Sequence, residues 1–254
     1  MILIVDIGNS NTTYGLYEND KLVNTFTIKS ELNKTADEYY LIIKTFLEGY
    51  EIEDIMISSV VPILTSLLKK TFSKYYHISP KITGTGLKTG IKVKVDEPKT
   101  VGADLICDCL GATKYASSAI IVDLGTANKF ILMKDRTFLG VAISPGFSIS
   151  MKALSNSAAL LPNIELIKPN KVIGTNTITA MQSGIINGAK AQIDGMINMI
   201  LEEEKLDSNF VVVATGGLSS LIIPLCENKI ILDPNLTLDG LYMIYQKNKE
   251  NLWL

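Results

Sequence analysis

Short apolar runs closed by polar turns give this chain its clearest pattern. Ile4-Val5-Asp6-Ile7-Gly8-Asn9-Ser10-Asn11 is echoed by Ile121-Val122-Asp123-Leu124-Gly125-Thr126-Ala127-Asn128, at an offset of 117 residues between Asp6 and Asp123. In each copy an apolar strand ends on Asp, a Gly-bearing turn follows, and a second strand begins. The polar turn Glu18-Asn19-Asp20 is answered by Lys134-Asp135-Arg136, each leading into a further apolar-rich stretch. Each half is therefore predicted to open with a three-stranded meander.

Helical periodicity fills much of the rest. Thr35-x-x-Glu38 reads as a capping box before a stripe of Tyr40, Ile43 and Leu47. A strand is expected over Ile55–Ser58 and a helix from Pro62 through Leu67, while His77 follows two tyrosines in a stretch that reads as strand. Thr100 is placed to cap a helix bearing Val101, Leu105 and Cys109 on one face. Residues 176–200 form a long helical pattern with Ile178, Met181, Ile185 and Ile193 apolar, Phe210–Ala214 a buried strand, and Leu238–Tyr245 a terminal helix. Strands alternating with helices place the chain in the α/β class. The repeat divides it into two duplicated domains, 1–115 and 116–254, facing each other across a cleft, with the question left open whether the terminal helix packs back on the first half.

Composition narrows the function classes. The chain has 254 residues, 47% hydrophobic and 20% charged, enough for a large core and unlike any disordered or collagenous sequence. Its formal charge of -2 supplies no electrostatic footprint for nucleic acid. With three cysteines and one histidine, His77, a His/Cys metal centre or a Ser-His-Asp triad is nearly unbuildable, and Cys107, Cys109 and Cys226 read as buried small hydrophobes in a reducing compartment. The N-terminus lacks the basic region of a signal peptide, and the uncharged run Phe210–Cys226 is broken by Gly216, Gly217 and Pro224. A cytoplasmic protein without a membrane partner is expected.

The Asp-Gly turns suit phosphate and metal. Glycine lets backbone approach an anion closely, neighbouring amides and hydroxyls donate to it, and an Asp at a strand tip can hold a hydrated Mg²⁺ that bridges phosphate oxygens. The glycine-rich fingerprints of P-loop and dinucleotide-binding proteins are missing. A third glycine-bearing turn, Ala214-Thr215-Gly216-Gly217, follows a buried strand and permits flat approach of an adenine or ribose. Asp104, in the first turns of its expected helix, stands where the helix dipole favours the ionised carboxylate that could take a proton from an attacking hydroxyl.

Paired Asp-x-Gly turns with a late Gly-Gly resemble the acetate and sugar kinase, Hsp70 and actin superfamily. Within it the chain closely resembles the type III pantothenate kinases over nearly its whole length. The resemblance lies in Asp6–Ser10, Pro98-x-x-Val101-Gly102-Ala103-Asp104, Asp123–Ala127, Ile143-Ser144-Pro145-Gly146, Ile173–Thr177, Ala180–Gly184, Thr215-Gly216-Gly217 and Asp233-Pro234-x-Leu236-Thr237-Leu238-x-Gly240. It implies two ribonuclease-H-like domains of the actin-like ATPase fold around a nucleotide cleft. It also implies ATP-dependent phosphorylation of pantothenate, the first step of coenzyme A biosynthesis, by a homodimer needing Mg²⁺ and a monovalent cation, K⁺ or NH₄⁺. On that resemblance Asp6, Ile7, Gly8, Asn9, Ser10, Asn11, Thr12 and Thr13 cradle ATP phosphates, with Asp6 also toward metal. Thr126, Gly216 and Gly217 contact ATP, and Asp123 binds the monovalent cation. Gly102, Ala103, Asp104, Leu105 and Thr177 line the pantothenate site, with Asp104 the proton acceptor.

The chain departs from the family pattern at four places. Leu105 replaces an arginine and Asp108 stands where Asn is common, one helical turn from Asp104, so that the two carboxylates could raise each other's pKa or share a cation. Asn128 and Lys129 replace two threonines. The lysine is expected to be a solvated strand residue; the alternatives are that it restores the positive charge lost at position 105, or lessens the need for K⁺. These departures leave open a related kinase with a different acceptor, or a non-catalytic regulatory homologue. The acidic balance opposes DNA binding, and the retained Asp6, Asp104 and Asp123 oppose lost chemistry.

Overall fold

The computed structural model describes residues 1–84, 87–157, 161–207 and 209–249. The first meander is β1 (Ile2–Ile7), β2 (Asn11–Glu18) and β3 (Lys21–Lys29), followed by α1 (Ala36–Leu47), β4 (Asp54–Ser59), α2 (Pro62–Tyr75) and the short β5 (Lys81–Ile82) and β6 (Lys92–Val93). After α3 (Ala103–Ala112) the second meander is β7 (Ala119–Leu124), β8 (Ala127–Lys134) and β9 (Thr137–Pro145). The chain then forms α4 (Phe147–Ser157), α5 (Thr177–Glu203), β10 (Val212–Thr215), α6 (Ser219–Ile222), β11 (Ile231–Leu232) and α7 (Leu236–Asn248).

One sheet has the order β3-β2-β1-β4-β5 and the other β11-β10-β7-β8-β9-β6. In each, the first strand of the repeat is central, antiparallel to its hairpin partner and parallel to the strand that follows the first helical crossover. Leaving β6 aside, the two sheets have one topology, the signature of a duplicated ribonuclease-H-like domain. The likeness reaches irregularities: β2 shifts register at Leu16/Tyr17 and β8 at Leu132/Met133. The hairpins that follow have positive φ at Asn19 and Asp20, and at Asp135 and Arg136. Two successive positive φ values are what a two-residue hairpin of matching twist needs.

The two copies differ by one residue in the turn after the first strand, which holds residues 8–10 in one and 125–126 in the other. Beyond the turn the offset is therefore 116, not 117. Asn128 matches Thr12, both fully buried, rather than the exposed Asn11, and Lys129 matches Thr13.

The chain divides into two compact units, 1–92 with 96–114 and 235–254, and 93–95 with 115–234. The boundary expected after residue 115 falls after 114, and the terminal helix belongs to the first unit. Its packing gives the reason. At α7's contact with α3, a Cβ on Gly240 would lie 1.9 Å from the Cys107 carbonyl oxygen, and one on Gly111 2.2 Å from that of Leu236. Only a glycine pair allows the two backbones this approach. Thr237 donates to the buried Asp108 carboxylate at 2.5 Å, and Tyr17 and Lys114 both bond Asp239.

Each unit has its own core. In the first, Leu3, Val5 and Ile7 of β1 pack with Tyr14, Ile55, Ile57, Leu64 and Phe72; in the second, Ile120, Val122 and Leu124 pack with Ile193, Ile197 and Val212.

Several local expectations change. The buried face of α1 is Tyr39, Ile43 and Leu47, while Tyr40 stacks on Tyr75. α2 runs on to Tyr75, so His77 is not in a strand but at a positive φ just past that helix. Thr100 ends a 3₁₀ turn, its hydroxyl bonded to the Glu97 carbonyl, and the N-cap of α3 is Gly102, so Val101 lies outside the helix. Pro98 starts that turn, with φ already set for it. On α5 Met181 and Ile193 are buried as expected and half-buried Ile185 packs against the core beside fully buried Ile186, whereas Ile178 is exposed.

Alanine at Gly240 should lower unfolding free energy by about 2–3 kcal/mol, because the overpacking strain outweighs alanine's helix preference. Gly195→Ala on α5, where an added Cβ meets nothing within 4 Å, should raise it by up to about 1 kcal/mol. Urea unfolding of the two variants checks both signs.

Candidate functional site

In the first unit the site begins where β1 ends. Asp6 faces Thr13 across the antiparallel pair and Ser58 across the parallel one. The turn beyond it is closed by the Gly8 amide on the Asn11 carbonyl at 3.0 Å. Ser30 braces it from the end of β3: its amide donates to the Ser10 carbonyl at 3.0 Å and its hydroxyl to that of Gly8 at 2.7 Å. Asn9, Ser10 and Asn11 are exposed at this braced turn, while Ile7 and Thr12 point into the core and Thr12 shares a hydrogen bond with Ser30.

The N-terminus of α3 belongs to the same neighbourhood. Burial pushes the Cys107 thiol far up, reinforced by the carboxylates of Asp6, Asp108 and Asp104 and opposed by the Ser58 hydroxyl. One buried sulfur thus feels the tip of β1, the end of β4 and the first turns of α3. Gly102, Ala103 and Asp104 are half-buried there, whereas Leu105 is buried. Asp104 curls back over the helix start, since a Cβ on Gly102 would meet its Oδ1 at 2.3 Å. Asp108 turns the other way, to Thr237 on α7, so it serves the junction between the two helices.

The second unit repeats this frame with different occupants. Asp123 faces Lys129 on β8 and Thr215 on β10. The Lys129 ammonium is 2.6 Å from Asp123 Oδ2, both side chains being largely buried. Thr126 sits in the turn, its carbonyl accepting from Gly146 N at 3.1 Å. Gly216 has φ +95° and would press a Cβ to 2.6 Å from the Leu124 backbone. At Gly217 an added Cβ meets nothing within 4 Å, so the first glycine is demanded by the fold and the second leaves open space. Asp123, Thr126 and Gly216 are therefore brought together. Thr177 is exposed on the first turn of α5, whose cap is Asn176.

A family model for type III pantothenate kinase matches residues 2–199. A type III pantothenate kinase of Halalkalibacterium halodurans is 42% identical over 255 residues, covering 98% of this chain and all of that one. The chain belongs to the type III pantothenate kinase family. Among solved structures, one described as a Baf family transcriptional activator from Campylobacter jejuni has a TM-score of 0.58 at 21% identity, covering 99% of this chain and 100% of that one. A 2-dehydro-3-deoxygalactonokinase structure from Sinorhizobium meliloti has 0.56 at 13%, covering 97% and 98%. At such identities the two speak for the fold alone.

Sequence reasoning missed Ser30 and Ser58 in this family member, and named Thr215 only as part of its glycine-bearing turn. A serine at the end of an outer strand has no local signature, but Ser58 and Thr215 occupy matching places beside the two Asp residues. Among the described residues no group of three or more His, Cys, Asp and Glu is arranged to hold a metal ion, and no helix is long and apolar enough to cross a membrane.

The buried thiols give a pH prediction. Burial raises Cys107 and, with the Asp108 carboxylate, Cys109 above the ordinary thiol value of 9.0. Above pH 9 the unfolded chain loses protons that the folded one keeps, so stability falls with rising pH by about 1.4 kcal/mol per unit for each thiol. Urea unfolding at pH 8 and pH 10 should show a smaller alkaline loss for Cys107→Ala than for the wild type.

Proposed function

We propose that the protein transfers the terminal phosphoryl group of ATP to the primary hydroxyl of pantothenate, giving 4'-phosphopantothenate at the start of coenzyme A biosynthesis. Family membership supports the reaction. The observation that carries its site is the placement, within the first unit, of Asp6 at the tip of central β1 beside a braced turn and of Asp104 in the first turn of α3.

In this reading Asp104 is the proton acceptor. It stands in the first turn of α3. Its backbone is fixed on a helix locked to α7, so its position is set before substrate arrives. Phosphoryl transfer asks mainly for positioning and charge neutralisation, and a positioned base adds to these. The turn at residues 8–10 offers exposed backbone and amide donors to the phosphates, with Gly8 needed because a side chain there would press on the Asn11 carbonyl. Gly217 supplies the open surface for the nucleotide in the second unit, and Thr126 and Thr177 are further contacts.

Mg²⁺ fits the donor set present: Asp6 stands at the tip of β1 beside the exposed turn at residues 9–11, so a hydrated ion would be shared by that carboxylate and the phosphates. Bound there it would neutralise charge on the transferring group. A monovalent cation does not fit at Asp123 in the same way, because that carboxylate already holds the Lys129 ammonium. A homodimer is supported by a groove between the loop Val172–Gly174 and the Ala180, Gly184 and Gly188 face of α5. Val172 and Ile173 beside it are 72% and 79% exposed, and small residues let a second backbone approach.

Coupled ADP release with ATP, Mg²⁺ and pantothenate tests the proposal. Turnover should require pantothenate, and Asp104→Asn should lower kcat by about 10²–10⁴-fold with little change in the KM for ATP. Turnover on pantetheine or a sugar but not on pantothenate would overturn the acceptor, and an active Asp104→Asn would overturn the base.

A further inference from the structure

The residue facing each strand-tip Asp is set by register and differs between the two repeats. Across from Asp6 stands Thr13, which carries no charge. Across from Asp123 stands Lys129, whose side chain shares a sheet face with the carboxylate and closes to 2.6 Å from Oδ2. The ammonium and the carboxylate are only 17% and 13% exposed, so this is not one of the solvated pairs whose contribution is close to nothing. Both groups sit at the end of a central strand, beside a glycine-bearing turn and the buried Thr215.

We propose that the Lys129 ammonium takes the place of a separate monovalent cation at Asp123, so that this enzyme carries its own cation and needs neither K⁺ nor NH₄⁺. The inference rests on the kinase reading above. An ammonium brings the same unit charge as K⁺, and its N–H groups donate to the oxygens that would otherwise coordinate the ion. Tethered through a strand in fixed register, it is present at every turnover without being drawn from solution. It also excludes a competitor: a second cation at that carboxylate would meet like charge at contact distance, in a site where water screens poorly. The departure at position 129 therefore answers Asp123 on the neighbouring strand of its own unit.

The test has two readouts. ADP release is measured in choline chloride and in KCl or NH₄Cl at equal ionic strength, for wild type, Lys129→Thr and Lys129→Gln. Wild-type turnover should change by less than about twofold. The variants, having lost a preorganised charge, should fall by about 10–100-fold in choline chloride and recover in KCl. Thermal melting without substrate gives the second readout: KCl over choline chloride should leave the wild type unmoved and raise the variants' midpoints saturably. Wild-type turnover stimulated severalfold by K⁺, or a saturable K⁺ shift in wild-type melting, would overturn the proposal. So would folded variants that match wild type in choline chloride, or whose melting ignores KCl. The melting arm needs no acceptor, so a wrong choice of pantothenate would show as absent turnover with the cation response intact.

Discussion

Each central strand carries an Asp to its C-terminal end, where the backbone leaves the sheet and the side chain is flanked by a strand on either side. A carboxylate there loses much of its water, and strand register fixes which residues flank it. Thr13 and Ser58 flank Asp6 in the first unit; Lys129 and Thr215 flank Asp123 in the second, where the ammonium pairs with the carboxylate. The rest of each unit sets those neighbours. The register shifts in β2 and β8 and the tight hairpins after them decide which residue of the second strand comes opposite the Asp.

Duplication thus supplied two equal frames, and small substitutions gave them different chemistry. The first frame has a neutral cross-strand neighbour, Thr13, and the second a charged one, Lys129, that pairs with its Asp. In the function proposed above, the first would serve metal and the reacting hydroxyl and the second the nucleotide. One deleted residue in the second turn accompanies this divergence and changes which positions correspond beyond it.

The meanders and their Asp-Gly turns were legible because strand alternation and turn residues are local signals. The family motifs marked Asp6, Asp104 and Asp123 for the same reason. Lys129 was visible as an anomaly, but its partner was not, since the direct echo aligned Asn11 with Asn128 and hid the register that sets Lys129 opposite Asp123. The start of α3 was misplaced because Thr100 has the chemistry of a cap, while a proline-led 3₁₀ turn takes its hydroxyl and leaves Gly102 at the helix start. The attachment of α7 could not be chosen from periodicity, which gives a helix an apolar face but names no partner for it. Gly111 and Gly240 carried that information only as a pair.

The placement of α7 makes the first unit discontinuous along the chain. Synthesis from the N-terminus delivers β1 through α3 early and their last helix only after the whole second unit has emerged. Until then the groove on α3 at Gly111 is bare and Asp108 lacks Thr237. A ribosome-bound chain can therefore finish its second unit before its first, and Asp108 on α3 reaches its final setting only after that second unit is made.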